Sequence, residues 1–80
     1  MKLLKFWAEW CSSCKQQSKI LEDFTDIPIE EHDVEEDFEL ATKYGIRNLP
    51  TMILVDSDGN ELHRFVGLTT IDKIKEHVNE

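Results

Sequence analysis

The sequence lacks the features that mark several protein classes. Its longest uninterrupted apolar run, Met52–Val55, is far too short to cross a bilayer. Only three glycines and two prolines accompany 40% hydrophobic residues, which excludes collagen-like and disordered chains. Basic residues are also scarce, nine against 17 acidic ones, and the net charge of −8 argues against nucleic acid or an anionic membrane as the partner. With 80 residues, the chain is expected to form one domain, 1–80.

Cysteine is scarce as well. Cys11 and Cys14 are too few for a small secreted scaffold, which usually carries about two to four disulfides. A bridge between them closes a short ring worth only about 2 kcal/mol in the chain-entropy model, so stapling the fold is not its main role. Lys5 and Glu9 interrupt the apolar region that a signal peptide needs. We therefore expect a cytoplasmic protein, in which thiols are usually catalytic or metal-binding.

One block of the chain is strongly acidic. Ten of the eighteen residues from Glu22 to Glu39 are Asp or Glu, and no Lys or Arg occurs between Lys19 and Lys43. Such a block is typical of a solvated face that keeps the protein soluble. Steering of a charged partner is the alternative.

The spacing of apolar residues predicts alternating strands and helices. Leu62 and either Phe65 or Val66 should face the core, and Thr69 should cap the last helix with Asp72 in a capping-box position. The predicted strands are Leu3–Trp7, Ile29–Val34, Pro50–Val55 and Glu61–Val66. The first predicted helix is Lys15–Phe24, with Ile20, Leu21 and Phe24 on its apolar face. The second is Glu35–Tyr44, with Phe38, Leu40, Ala41 and Tyr44 apolar and Gly45 as its left-handed stop, and the last has the apolar stripe Ile71, Ile74 and Val78.

This order of elements, β-α-β-α-β-β-α, predicts an α/β fold. The first strand, helix and strand form a right-handed crossover, which makes the two strands parallel. Residues Asp56–Asn60 have the composition of a turn, so the last two strands form an antiparallel hairpin. We expect a four-stranded mixed sheet with helices on both of its faces.

Cys11 and Cys14 have C-x-x-C spacing at the junction of the first strand and helix. Free backbone N–H groups and the helix dipole stabilise a thiolate there, and the thiolate is the nucleophile. Cys14 lies one turn further along the same face, close enough to form a disulfide. We predict that Cys11 is the exposed, attacking sulfur and Cys14 the recessed, resolving one.

A zinc site is the competing chemistry for this motif. Zinc needs four ligands, and one C-x-x-C supplies two of them. The histidines at positions 32, 63 and 77 are not spaced as in zinc fingers. We therefore expect no metal and predict that His32, His63 and His77 are surface groups.

Three segments of the sequence resemble the thioredoxin family. Phe6–Lys15 (FWAEWCSSCK) is similar to the family's active-site segment, and Lys43–Thr51 (KYGIRNLPT) to the segment that carries a cis-proline. Val66-Gly67 and the helix after them are similar to its closing element. The resemblance covers nearly the whole chain and implies a minimal thioredoxin fold, without the family's usual first strand and helix. Glutaredoxins also have this short form, but their tyrosine between the cysteines and their glutathione-binding glycine pair are absent.

The resemblance implies a dithiol–disulfide oxidoreductase. Reduced Cys11 would attack a disulfide in a protein substrate, and Cys14 would release the reduced product. No bound cofactor is implied beyond the Cys11–Cys14 disulfide, a reductase or glutathione would supply electrons, and the default state is a monomer. The residues expected to bind substrate or shape the site are Trp10, Ser12, Ser13, Leu49, a cis Pro50 and Gly67.

Three positions depart from the family pattern. Ser12-Ser13 replaces Gly-Pro between the cysteines, which offers hydroxyl groups to a Cys11 thiolate and leaves the reduction potential open. Lys5 replaces the family's buried aspartate, and Glu31 replaces the lysine that accompanies it. We expect these two to form a charge-swapped pair that tunes the pKa of the thiols. The alternative is that Lys5 reaches solvent past the edge of the sheet.

Two other functions stay open beside a protein-disulfide reductase. The chain could be a thioredoxin-fold binding subunit of a larger assembly, with idle cysteines, or a glutaredoxin-like reductase coupled to glutathione. The combination of Cys11, Cys14 and Pro50 favours the enzyme.

Overall fold

The computed structural model of the chain describes residues 1–78. It confirms the predicted order β-α-β-α-β-β-α. Within this range no helix has the length and apolar character needed to span a membrane. The strands are β1 (Lys2–Trp7), β2 (Ile29–Asp33), β3 (Thr51–Val55) and β4 (Glu61–Val66), and the helices are α1 (Ser12–Ile20), α2 (Phe38–Lys43) and α3 (Ile71–Val78).

The four strands form one mixed sheet in the order β2-β1-β3-β4. Strand β1 runs parallel to β2, with Lys5 opposite Glu31, and antiparallel to β3. The two central strands carry the most continuous apolar sequences, and every residue of β3 is buried. Strand β1 is central and ends at Trp7, so the cysteines that follow it lie at the carboxyl end of a central strand.

The sheet separates two apolar clusters, as expected when alternate side chains point to opposite faces. One joins Leu3, Met52 and Leu54 of the sheet to Leu21 and Ile74 from the α1 and α3 side. The other cluster contains Leu4, Phe6, Ile53, Val55 and, from α2, Ala41. Helices therefore cover both faces, as predicted.

Helix α1 begins at Ser12, before the predicted start at Lys15, and ends at Ile20 instead of Phe24. Ile20 was expected on its inner face but is 36% exposed. Gln17 takes the buried position, where its amide donates to Thr69 O at 3.0 Å and accepts from Thr69 N at 2.8 Å. The prediction for Ile20 was wrong because Gln17, whose amide forms both of these hydrogen bonds, occupies the core position of the helix instead.

Helix α2 begins at Phe38 instead of Glu35. The preceding residues form turns, in which the Asp37 N–H donates to Asp33 O at 2.7 Å and the Glu35 N–H to Asp33 Oδ1 at 2.9 Å. Phe38, predicted to lie on the apolar face, is 69% exposed. The helix ends at Lys43, one residue before the predicted Tyr44, which is its C-cap, and Gly45 follows in the left-handed region with φ 64° as predicted for the stop.

Two details of β4 and α3 also differ from expectation. Leu54 pairs with His63 and Val55 with Glu61, so Leu62 is the extra residue of a β-bulge and stays exposed. Phe65 is the residue of β4 that faces the core.

The N-cap of α3 also differs from the prediction. The Thr70 hydroxyl accepts a hydrogen bond from Lys73 N at 3.4 Å, which places the cap one residue after Thr69.

The histidines are less exposed than predicted. His32 is 9% exposed, stacks on Phe6, and its ring contacts Glu30 Oε1 at 2.7 Å and Asp37 Oδ2 at 2.8 Å. The rings of His63 and His77 stack with centroids 3.6 Å apart. No cluster of three or more His, Cys, Asp or Glu side chains suited to a metal ion occurs within residues 1–78.

Candidate active site

The two cysteines lie at the start of α1 and form a disulfide, with their Cα atoms 5.3 Å apart. Cys11 is the N-cap residue of the helix, with extended backbone angles φ −90° and ψ 102°. Its Sγ accepts a hydrogen bond from the Cys14 N–H at 3.1 Å, while its own N–H donates to Ala8 O at 3.1 Å. The tight turn after β1 therefore aims a helix N-terminus at the Cys11 sulfur.

Both cysteines are buried in the disulfide form. Cys11 is 6% exposed and Cys14 2%, within an apolar cluster that includes Ala8 and is flanked by Val34 and Leu49. Cys14 is recessed as predicted. The prediction of an exposed Cys11 is wrong for this disulfide form, because apolar side chains pack around the residue.

The two serines between the cysteines lie in different surroundings. Ser13 Oγ is 3.4 Å from Cys11 Sγ, within reach of a hydrogen bond to sulfur. Ser12 is exposed. Ser13 is therefore the serine whose hydroxyl can solvate a Cys11 thiolate.

Trp10 stands beside the disulfide as a surface side chain. It is 71% exposed, and its Nε1–H donates to Glu35 Oε1 at 3.0 Å. Sequence analysis missed Glu35, whose only signal was membership of the acidic block. Trp7 instead packs against the cysteine cluster, and its buried Nε1–H has no hydrogen-bond partner among residues 1–78.

Leu49, Pro50 and Gly67 come together next to the cysteine cluster. The Leu49–Pro50 peptide bond is cis, the geometry that the resemblance implies. Leu49 packs against the cysteine cluster, and its backbone forms no hydrogen bond with the rest of the described chain. Gly67 has φ 81°, which favours glycine, and its N–H donates to Pro50 O at 2.8 Å.

Lys5 lies in the sheet behind Cys14. It is 2% exposed, and its Nζ donates to Ser18 Oγ and, at 3.3 Å, to Glu31 Oε1. The Glu31 side chain is 51% exposed, so only one member of the pair is buried. Lys5 and Cys14 line the same cavity of about 390 Å³. Sequence analysis missed Ser18, because a lone serine on a helix carries no sign of a partner on a distant strand.

The comparison with protein families agrees with this geometry. The family model described as thioredoxin matches residues 1–80. The chain belongs to the thioredoxin family. The thioredoxin of Bacillus subtilis is 34% identical over 83 residues, covering 98% of this chain and 79% of that protein. The thioredoxin of Rickettsia bellii is 33% identical over 82 residues, covering 96% of this chain and 77% of that protein.

A solved thioredoxin structure is similar over the same extent. A single-residue mutant of the thioredoxin from Halobacterium salinarum superposes with a TM-score of 0.85 and 33% identity, covering 98% of this chain and 71% of that one. The fold is therefore the thioredoxin fold, as predicted. Family membership and the joined sulfurs of Cys11 and Cys14 make the chain a thiol–disulfide oxidoreductase with a redox-active disulfide.

Proposed function

We propose that this chain is a cytoplasmic protein-disulfide reductase that acts as a single domain and a monomer. The proposal rests on the Cys11–Cys14 disulfide at the N-terminus of α1, beside Leu49, whose backbone forms no hydrogen bond within the described part of the chain. A reductase or glutathione supplies the electrons, and the substrates are disulfide-bonded proteins.

The reaction consists of two exchanges of sulfur partners. The Cys11 thiolate attacks one sulfur of the substrate disulfide, forms a mixed disulfide, and displaces the second substrate sulfur, which takes up a proton. The Cys14 thiolate then attacks the Cys11 sulfur. The Cys11–Cys14 bond forms, the remaining substrate sulfur leaves as a thiolate that is protonated, and two electrons have passed to the substrate.

The start of α1 prepares Cys11 for the first exchange. Its sulfur already accepts the Cys14 N–H bond at 3.1 Å, and Ser13 Oγ lies within 3.4 Å. Hydrogen bonds and the helix dipole favour the charged form of a thiol, so both stabilise the thiolate of reduced Cys11. The exposed Ser12 shapes the entrance to the sulfur.

The substrate binds as an extended segment along Leu49. A free backbone N–H and C=O beside the nucleophile can pair with such a segment in the manner of an added strand. Gly67, held to Pro50 by its N–H, keeps the neighbouring surface low because it has no side chain. Trp10 lines the same groove as Leu49.

Lys5 and Glu31 set the charge behind the disulfide. A buried ammonium near Cys14 favours the thiolate form of the thiols, and the Glu31 carboxylate offsets part of this effect. Together they tune the pKa of the thiols in this protein.

Reduction of insulin by dithiothreitol tests the proposed activity. The wild-type protein should accelerate it, and Cys11→Ser should fall to the rate of dithiothreitol alone, because the attacking sulfur is gone. Gln16→Ala, which changes an exposed residue of α1, serves as the matched control and should retain the wild-type rate. Wild-type turnover no faster than dithiothreitol alone contradicts the proposal and favours a binding subunit with idle cysteines.

A further inference from the structure

A groove of about 620 Å³ lies next to the cysteine cluster. Val34 and Leu49 line the groove and also pack against that cluster, so these two side chains connect the groove with the surroundings of the disulfide. Its walls include Trp10 and Phe38, which at 71% and 69% are the most exposed large hydrophobic side chains of the described residues. Two exposed aromatic rings beside a reactive bond form a contact surface for a partner.

Carboxylates surround these two rings. Phe38 also lines a neighbouring depression of about 710 Å³ whose walls carry Glu36, Asp37 and Glu39. Glu35 holds the Trp10 indole at 3.0 Å. We call this surface the acidic–aromatic groove; it consists of Trp10, Glu35, Glu36, Asp37, Phe38 and Glu39.

The charges of the acidic–aromatic groove are only partly balanced. In residues 1–78, neither Glu36 nor Glu39 forms an ion pair with a lysine or arginine. The cations on its borders are Lys43, whose ammonium lies 5.6 Å from the centre of the Tyr44 ring, and Arg47. Asp37 Oδ2 also lies 2.8 Å from a ring nitrogen of His32, but even without Asp37 the three glutamates outnumber the two cations, so the potential of this surface is negative.

We propose that the acidic–aromatic groove binds a basic, extended segment next to the substrate's disulfide, so that the protein prefers disulfides flanked by Lys and Arg. This rests on the proposed function and names its substrate class. The stems of Lys and Arg pack on aromatic faces, and their charged groups interact with the rings and with carboxylates. Opposite potentials on protein and substrate raise the rate of productive encounter.

Two disulfide-linked peptides test this preference. They share length and central sequence and differ only in flanking residues, Lys and Arg in one and Glu and Asp in the other. At low ionic strength we expect kcat/KM of the wild-type protein to be about tenfold or more higher for the basic peptide. The ratio should fall towards one at about 0.5 M salt, where exposed charges are screened.

A pair of charge reversals separates the groove from net charge. Glu36→Lys combined with Glu39→Lys should abolish or invert the ratio. Glu22→Lys combined with Asp23→Lys is the matched control, because it changes net charge equally within the same acidic block but just after α1, outside the groove. The control should keep the wild-type ratio. Phe38→Ser should lower kcat/KM for the basic peptide by roughly five- to tenfold.

Hydroxyethyl disulfide, small and uncharged, reports the thiol chemistry alone, so the kcat/KM of each variant for the two peptides is divided by the rate at which the same variant reduces hydroxyethyl disulfide. Equal kcat/KM for the two peptides, or an equal loss of the ratio in the distant control, overturns the inference and leaves the reductase intact. Failure of the wild-type protein to reduce any of the three disulfides overturns the proposed function and this inference with it. A dimer in sedimentation that Phe38→Ser dissociates would assign the groove to a second copy and also overturn it.

Discussion

The Cys14→Ser variant is expected to accumulate a stable mixed disulfide with its substrate, close to one per protein molecule. Cys11 can still attack, since its sulfur remains at the start of α1 and is the less buried of the two at 6% exposed. Without the Cys14 thiolate, the second exchange cannot occur. The mixed disulfide, which is short-lived in the wild-type protein, therefore persists in the variant. Non-reducing electrophoresis and mass spectrometry of the peptide containing residues 11–14 measure the adduct.

Cys11→Ser is the matched control for this trap. It keeps one thiol in the same segment but leaves it at Cys14, which is only 2% exposed, so no adduct should form. Dithiothreitol should release the Cys14→Ser adduct, which shows that its bond is a disulfide. Substrate attached to Cys14 in the Cys11→Ser variant would reverse the two roles.

Replacing Lys5 with methionine should raise the pKa of the more acidic thiol by about one unit. One unit charge about 6 Å away, at an effective dielectric constant of about 20, changes a pKa by roughly two units before the opposing Glu31 carboxylate is included. Lys5→Met keeps the length of the side chain but removes the ammonium that lines the cavity with Cys14. Absorbance of the thiolate, followed from pH 4 to pH 10 in the reduced protein, measures the change.

Two further variants isolate the charge from other effects of the substitution. Lys15→Met removes an exposed lysine on the rim of the same cavity, and solvent screening should keep its effect well below that of Lys5→Met. Glu31→Gln should shift the pKa downward, opposite in sign. If Lys5→Met and Glu31→Gln both titrate like the wild-type protein, the pair has no part in tuning the thiols.

The order of elements and the position of the disulfide were readable from the sequence because both depend on local signals. The apolar runs of β1 and β3 mark central strands, and Gly45 marks the end of α2. The C-x-x-C motif follows the apolar run of β1 and precedes a helical pattern, which places it at a strand-to-helix junction. These features are decided within a few residues, so the pattern and the structure agree.

The errors arise where a side chain takes its role from distant parts of the chain. Gln17 is buried because Thr69 satisfies its amide, and His32 is buried because its ring stacks on Phe6 of the neighbouring strand. Neither arrangement has a signature in the spacing of apolar residues. Phe38 is the converse case, an apolar side chain left exposed because α2 begins late.

The candidate site shows the same division. The Lys5–Glu31 pairing followed from family resemblance and agrees with the parallel register of β1 and β2. Ser18, the other acceptor of the Lys5 ammonium, and Glu35, the acceptor of the Trp10 indole, depend on how α1 and the turn after β2 pack. Such contacts between elements become visible only in three dimensions.

The reduction potential of the Cys11–Cys14 couple tests the assignment as a reductase most directly. It is measured by equilibrating the protein in mixtures of reduced and oxidised glutathione and determining the disulfide fraction by mass spectrometry. The reduction potential of thioredoxin is about −270 mV. If Lys5 stabilises a thiolate of the reduced protein by one pKa unit, the reduced form is favoured and the potential rises by roughly 30 mV. We therefore expect a reversible two-electron transition at about −240 mV. A value of about −120 mV, typical of a strong oxidant, would contradict the account.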